Sequence, residues 1–97
     1  MTREELITHL VGCGFKAEPR DWAMGQTVRV YRTEMQVGSI LAVPGCTYCW
    51  PSGPDFVVLD PPGRELRFHT AEALVGYLTQ HFAAAEEFWR VQESHVG

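Results

Sequence analysis

The sequence predicts a single α+β domain over residues 1–97, with an antiparallel meander of four or five strands. An N-terminal helix and a long C-terminal helix are predicted to pack on one face of that sheet. Two observations predict this class. The stretch Phe56–Trp89 has the pattern of two short strands followed by one long amphipathic helix. Upstream of it, a capping-box pattern starts a helix, and alternating apolar and polar residues then indicate further strands.

The long helix and the two strands before it have the clearest patterns. Phe56–Asp60 is a short apolar run, Pro61-Pro62-Gly63 is a turn, and Leu66 and Phe68 alternate with polar residues. Thr70 is the predicted N-cap of the helix. The apolar stripe of this helix recurs every three to four residues, at Ala71, Leu74, Leu78, Phe82, Ala85 and Trp89. The opposite face is predicted to carry Thr79, Gln80, Ala83, Glu86, Glu87 and Arg90.

The N-terminal part is predicted to be a helix followed by a short strand. Thr2 and Glu5 have the spacing of a capping box, so a helix is predicted over residues 3–12. Phe15–Glu18 is predicted to be a strand that Pro19 ends.

Three further segments precede the Phe56–Trp89 stretch. Arg20–Gly25 is predicted to be a loop, and Thr27–Thr33 a strand with Val28 and Val30 on its inner face. Gly38–Val43 is predicted to be a third, more buried strand. Cys46–Pro54 is predicted to be an ordered loop or a short edge strand, because prolines and glycines flank its aromatic residues.

Composition excludes several classes of protein. The chain is 45% hydrophobic, which is enough for a core without disulfides, yet it has no run of roughly 20 apolar residues that would span a membrane. The net charge of −4 argues against binding of a nucleic-acid backbone. The charged N-terminus lacks the apolar run of a signal peptide, so a cytoplasmic location is expected. Basic residues are almost all arginine, which is typical of a GC-rich bacterial source.

The pair Cys46 and Cys49 is the sharpest motif. Its Cys-x-Tyr-Cys pattern resembles the active-site tetrad of glutaredoxins, which implies thiol redox chemistry, but Pro51 stops the helix that such a site needs. A structural zinc site would need two more ligands from Cys13, His9, His69, His81 and His95. None of these residues forms a second close pair. We therefore expect two thiols that fill space, with no metal and no cofactor.

Because no catalytic constellation is visible, the first interpretation is a non-enzymatic binding or accessory protein of bacterial or mobile-element origin. It would act by protein–protein contact. Trp, Tyr and Arg are over-represented at binding hot spots. The candidate surface is the solvent-side sheet face and its loops, with Arg29, Tyr31, Tyr48, Trp50, Arg67 and His69.

Three alternatives stay open. One is a small-ligand-binding or enzymatic domain with a pocket near the Cys46–Pro54 loop and His69. Another is a small zinc-binding protein that uses Cys46 and Cys49. The third concerns assembly: the C-terminal helix, roughly 33 Å long at 1.5 Å per residue, extends past a small sheet. Its distal end then either packs on the first helix or forms a homodimer through Phe82, Ala85, Phe88 and Trp89.

Overall fold

The architecture is an N-terminal helix, a five-stranded antiparallel sheet with an additional hairpin, and a long C-terminal helix. A computed structural model describes residues 1–23, 25–60 and 63–96, with side chains through residue 91. The predicted α+β class is confirmed. In chain order the elements are α1 (Arg3–Gly12), β1 (Lys16–Trp22), β2 (Gly25–Tyr31), β3 (Met35–Val37), β4 (Ile40–Ala42), β5 (Thr47–Ser52), β6 (Asp55–Asp60), β7 (Arg64–Phe68) and α2 (Ala71–Val96).

The main sheet has the strand order β1-β2-β5-β6-β7, and every neighbouring pair is antiparallel. Strands β3 and β4 form a separate two-stranded sheet inserted between β2 and β5. Between β6 and β7 the predicted turn is described only at Gly63, whose amide donates to the Asp60 carbonyl at 2.8 Å. Pro61 and Pro62 of that predicted turn lie outside the described residues.

The first helix begins as predicted. The Thr2 hydroxyl accepts from the Glu5 amide at 3.2 Å, and the Glu5 carboxylate accepts from the Thr2 amide at 3.0 Å. These bonds satisfy amides that the first helical turn leaves unpaired. They also lower the pKa of Glu5, because both the backbone and the side chain of Thr2 hydrogen-bond it. Leu6 and Leu10 of this helix are fully buried.

The second helix keeps the predicted stripe but with one error. Its N-cap is Thr70, whose hydroxyl accepts from the Ala73 amide at 3.1 Å. Leu74, Leu78 and Phe82 are fully buried. Glu86, predicted to face away, is only 5% exposed. Its position follows from helix geometry, since it lies four residues after Phe82 and therefore continues the same buried row.

One core joins both helices to the same face of the sheet, as predicted. Buried residues of α1 and α2 share a cluster with alternate residues of the three central strands. The strand residues in that cluster are Val28 and Val30 in β2, Cys49 in β5, and Phe56 and Val58 in β6. The helix residues of this cluster all pack on that one face of the sheet. We call the opposite face the open face.

The strand predicted at Gly38–Val43 is present over Ile40–Ala42, but the prediction that it is buried is wrong. Ile40–Ala42 pairs with Met35–Val37 instead, and the exposed fractions of Ile40 and Leu41 are 67% and 59%. Gly38, with φ of +62°, takes the first central position of a two-residue turn, where glycine is favoured. That turn sends the chain back onto its own preceding residues, so the apolar run never reaches the main sheet.

The Cys46–Pro54 segment is neither a loop nor an edge strand. It forms β5, which lies at the centre of the sheet between β2 and β6. The strand tolerates Pro51 because β2 pairs with β5 only through Thr47–Cys49. Beyond Cys49 the missing amide of Pro51 therefore costs no hydrogen bond to β2.

The predicted loop at Arg20–Gly25 is also wrong. β1 runs on through Pro19 to Trp22, and Trp22 pairs with Gly25 at the end of a long hairpin. Proline is tolerated here because β1 is an edge strand, where an amide without a partner faces no neighbour.

Candidate functional site

The open face collects most of the residues that the sequence singled out. Side chains alternate along a strand, so the residues between the core positions of β2 and β5 point away from the helices. The register places Arg29 opposite Tyr48, and Trp50 opposite Val57, which in turn lies opposite Arg67. Four predicted surface residues are thus brought onto one continuous face.

A pocket of about 530 Å³ opens on this face beside Trp50. Six of the residues that line it have side chains beyond glycine: Trp22, Gln26, Thr27, Trp50, Leu59 and Glu65. Gly25 and Gly63 complete the described lining, and neither has a side chain that would narrow the opening. Thr27 and Trp50 of this lining lie immediately beyond the last pair of β2 with β5, Val28 and Cys49, whereas Leu59 lies opposite Tyr48 and Glu65 opposite Leu59.

Packing fixes the walls of this pocket. The rings of Trp22 and Tyr48 are tilted against one another with centroids 4.3 Å apart. Tyr48 therefore supports Trp22 from outside the pocket. Thr27 is buried and donates its hydroxyl to the Arg20 carbonyl at 2.7 Å, which ties β2 to β1 beneath the Trp22 side chain. A site held by strands in this way is preorganised for binding.

Charged side chains elsewhere on the open face are held by partners of the same chain. Arg29 donates to Glu18 at 2.9 Å and its guanidinium lies 5.0 Å from the centre of the Tyr31 ring. Lys16 lies 5.8 Å from the same ring centre. Tyr31 is therefore already engaged by cations of its own chain. The open face thus presents aromatic rings and guanidinium groups in fixed geometry, which is typical of protein-binding surfaces.

His69 lies away from the pocket. Its Nδ1 is 2.9 Å from Asp55, and its side chain is 82% exposed. The hydrogen bond from His69, followed by that from Arg67 at 3.2 Å, lowers the pKa of Asp55. A carboxylate that orients an imidazole is one element of general-base chemistry. A pocket beside the Cys46–Pro54 segment is present at Trp50, and His69 is not among the described residues that line it.

The two cysteines of the Cys-x-x-Cys pair are in different environments. Cys49 belongs to the core, and burial raises the pKa of its thiol to about 12. Cys46 is half-buried close to Arg29 of the open face; burial raises the pKa of its thiol, and the guanidinium opposes that effect. Among the described residues, no three His, Cys, Asp or Glu side chains lie close enough to hold a metal ion.

Two of the predicted zinc ligands outside this pair do lie together, contrary to expectation: His9 of α1 is 3.9 Å from the sulfur of Cys13, the C-cap of that helix. His81 instead lies 2.8 Å from the Gly45 carbonyl. The side chain of His95 lies outside the described residues.

The four residues predicted for a dimer contact differ in exposure. Phe82 is fully buried within the core, so it offers no surface to a second subunit. Ala85 and Trp89 are half-buried. Phe88 is 60% exposed, and its ring meets that of Trp89 at 89° with centroids 6.4 Å apart. The exposed surface of this end of α2 is therefore centred on Phe88.

Sequence reasoning missed most of the pocket lining. Trp22 is predicted in a loop, Gln26 and Leu59 have no predicted role, and Thr27 and Glu65 are predicted only as residues of the solvent-side sheet face. Strand alternation is a signal for two of them, since Thr27 is two residues from Arg29 and Glu65 two from Arg67. The pocket also depends on the order of the strands in the sheet, and alternation along a single strand does not predict that order.

In the described ranges, no helix is long and apolar enough to cross a membrane. Comparison of the chain with protein-family models, with curated proteins and with solved structures finds no match.

Proposed function

We propose that the protein is a non-enzymatic binding module that holds a partner protein on its open face. In this proposal the pocket between Trp22 and Trp50 receives one side chain of the partner. The observation that carries the proposal is this 530 Å³ pocket, walled by two tryptophans and set in a face of arginine and tyrosine side chains. Binding energy at protein interfaces is concentrated in such buried aromatic anchors and the pockets they form.

The residues around the pocket support a partner larger than a small molecule. Arg29, Arg67 and Tyr48 lie on the same face but do not line the pocket. A protein partner would cover them, whereas the direct contacts of a small molecule in the pocket would be with the lining residues, and neither Arg67 nor Asp55 is among those described.

The pocket volume, however, lies within the range of roughly 300–1,000 Å³ that is usual for small-molecule sites. The alternative of a small-ligand-binding domain therefore uses the same pocket.

A selection experiment tests the proposal. A display library of random peptides is selected on the wild-type protein and then tested on Trp50→Ala. Peptides that bind in the pocket should lose most of their affinity, by at least about tenfold, because the loss of a hot-spot aromatic typically exceeds about 1.4 kcal/mol. Ile40→Ala is the control, since it removes an exposed large apolar side chain from the β3–β4 hairpin, outside both candidate surfaces. Circular dichroism confirms that both variants fold.

The same peptides separate the two kinds of ligand. If a protein segment is the partner, Arg29→Ala or Arg67→Ala should weaken the selected peptides, while leaving any small molecule that binds in the pocket unaffected. A panel of peptides that bind Trp50→Ala as tightly as the wild type would contradict the proposal.

A second candidate function is self-association through α2. It is favoured by the 60% exposure of Phe88 near the end of a 26-residue helix. A helix face repeated on two subunits is self-complementary about a two-fold axis. Light scattering at high micromolar concentration should then show a dimer that Phe88→Glu converts to a folded monomer. A monomeric wild-type protein at that concentration would remove this candidate.

A further inference from the structure

We infer that the pocket takes a cationic side chain, an arginine or a lysine, from the partner protein. The inference rests on the proposed function and specifies what the pocket recognises. It is carried by the combination of two indole walls with one unpaired carboxylate, Glu65, in a lining whose described residues include no basic side chain.

The walls have the chemistry that attracts a cation. Tryptophan has the most favourable ring face for cation–π contact, and the contact strengthens when the cation is desolvated. Trp22 and Trp50 are both half-buried. The same face already contains this interaction, because Tyr31 lies under Arg29 at 5.0 Å. Leu59 contributes apolar surface on which the methylene stem of a basic side chain can pack.

Glu65 supplies the charge. Its side chain is exposed, and it forms no ion pair within the part of the chain that the structure describes. Most acidic residues of the protein are paired, as Glu18 is with Arg29 and Asp55 with Arg67. A free carboxylate at the edge of an aromatic pocket attracts a guanidinium or ammonium group and repels an acidic one.

The arginines nearest to Glu65 in the chain are bound elsewhere. Arg67 lies two residues along the same strand but donates to Asp55 at 3.2 Å. Arg64 is the neighbouring residue, yet it donates to Asp60 at 3.0 Å. Neither arginine lines the pocket. Glu65 is therefore available to a cation from another molecule.

The test uses the peptides whose binding depends on Trp50. In each peptide, the arginines are replaced one at a time by citrulline and the lysines one at a time by norleucine, which keeps the approximate shape of the side chain and removes its charge. At one position the replacement should weaken binding to the wild type by at least about fivefold, since it removes a cation–π contact and an ion pair together. Glu65→Gln should weaken the unmodified peptide by about threefold or more, but it should not further weaken the neutral peptide. Glu72→Gln, an exposed acidic residue at the start of α2, is the matched control and should leave both affinities unchanged.

The outcomes separate the two proposals. Peptides that depend on Trp50 but tolerate every neutral replacement would leave the binding module standing and overturn the cationic side chain. If no peptide depends on Trp50, N-acetyl-arginine methylamide and its citrulline analogue are titrated and the tryptophan indole resonances are followed. Shifts at Trp22 and Trp50 with the arginine compound alone would support the inference. Equal shifts with both compounds, or none with either, would overturn it.

Discussion

The buried carboxylate of Glu86 allows a stability prediction to be worked from the structure. Glu86 accepts two hydrogen bonds from the Arg32 guanidinium, the Nε bond at 3.1 Å, and a third from the Thr33 hydroxyl. Arg32 and Thr33 precede the β3–β4 hairpin. On the far side of the hairpin, the Gly45 carbonyl lies 2.8 Å from His81 of the same helix. Glu86 therefore holds one end of the hairpin segment against α2, and His81 holds the other.

The free energy of unfolding that Glu86→Gln should remove can be judged from the solvent exposure of the two side chains in the ion pair. Removing one partner of a fully buried pair costs about 3–5 kcal/mol, whereas a solvent-exposed pair contributes about 0–1 kcal/mol. The Glu86 side chain is 7% exposed and that of Arg32 is 31% exposed, so the pair lies between these limits. Arg32 can turn to water, and glutamine can still accept from Thr33. We expect a loss of about 2 kcal/mol, which lowers the melting temperature of a domain of this size by about 8–16 °C.

Low pH should remove the difference in stability between the wild type and Glu86→Gln. The hydrogen bonds from Arg32, followed by that from Thr33, lower the pKa of Glu86 below its usual 4.5. A carboxyl whose pKa is lower in the folded state stabilises the protein above pH 4.5, and this stabilisation is lost as pH falls through the folded value. Urea denaturation of wild type and Glu86→Gln should therefore differ at pH 7, and the difference should shrink as the pH is lowered below 4.5.

Glu87→Gln is the control for Glu86→Gln. Glu87 lies on the exposed side of the helix, 3.5 Å from Arg90, and both side chains are about two-thirds exposed. Its substitution should cost less than about 1 kcal/mol. Equal losses for the two variants at pH 7, or a Glu86→Gln loss that persists unchanged in acid, would refute the reasoning.

Three further predictions concern the core, the hairpin and the thiols. Leu78→Ala should cost about 2–5 kcal/mol in urea denaturation, and the exposed Thr79→Ala no more than about 0.5 kcal/mol; equal losses would contradict the helix orientation. Gly45→Ala should destabilise more than Gly53→Ala: both glycines have positive φ, but only at Gly45 would a Cβ lie 3.0 Å from side-chain carbons of α2. Because burial raises the pKa of Cys49 to about 12, its thiol should be the last to react with a thiol reagent at pH 8. Mass spectrometry of partly labelled protein checks that order.

Sequence patterns predicted the elements whose stability is set locally. Both helices start at side-chain caps, Thr2 and Thr70, and their apolar rows recur at helical spacing. The hairpin of β3 and β4 could not be predicted in this way. Its strand Ile40–Ala42 is as apolar as a buried strand, and only its pairing partner decides whether it joins the main sheet. Pairing is a long-range property, so a local pattern does not contain it.

Sequence patterns predicted the sheet face on which the site lies, but not the pocket within that face. Arg29 and Arg67 alternate with apolar core residues, so their position on the open face follows from strand geometry. Trp22 and Trp50 lie far apart in sequence. They line one pocket because β5 lies beside β2 in the middle of the sheet and not at its edge. Pro51 disfavours that central position when only the local sequence is considered. Glu86 shows the opposite case, because helical spacing alone was sufficient to place it in the buried row.

The open face carries two polar arrangements, and their surroundings separate binding from chemistry. Asp55 orients His69 as a general base is oriented, but the imidazole is 82% exposed and lies outside the pocket. Catalysis by such a base needs a substrate held within hydrogen-bond reach of the free ring nitrogen, in a site from which water is displaced. The pocket arrangement is instead that of Trp22, Trp50 and Glu65, whose indole faces and carboxylate attract a cationic ligand. The described pocket and the His69–Asp55 pair therefore lie at different places on the open face, so a ligand held between Trp22 and Trp50 meets Glu65 and not the imidazole.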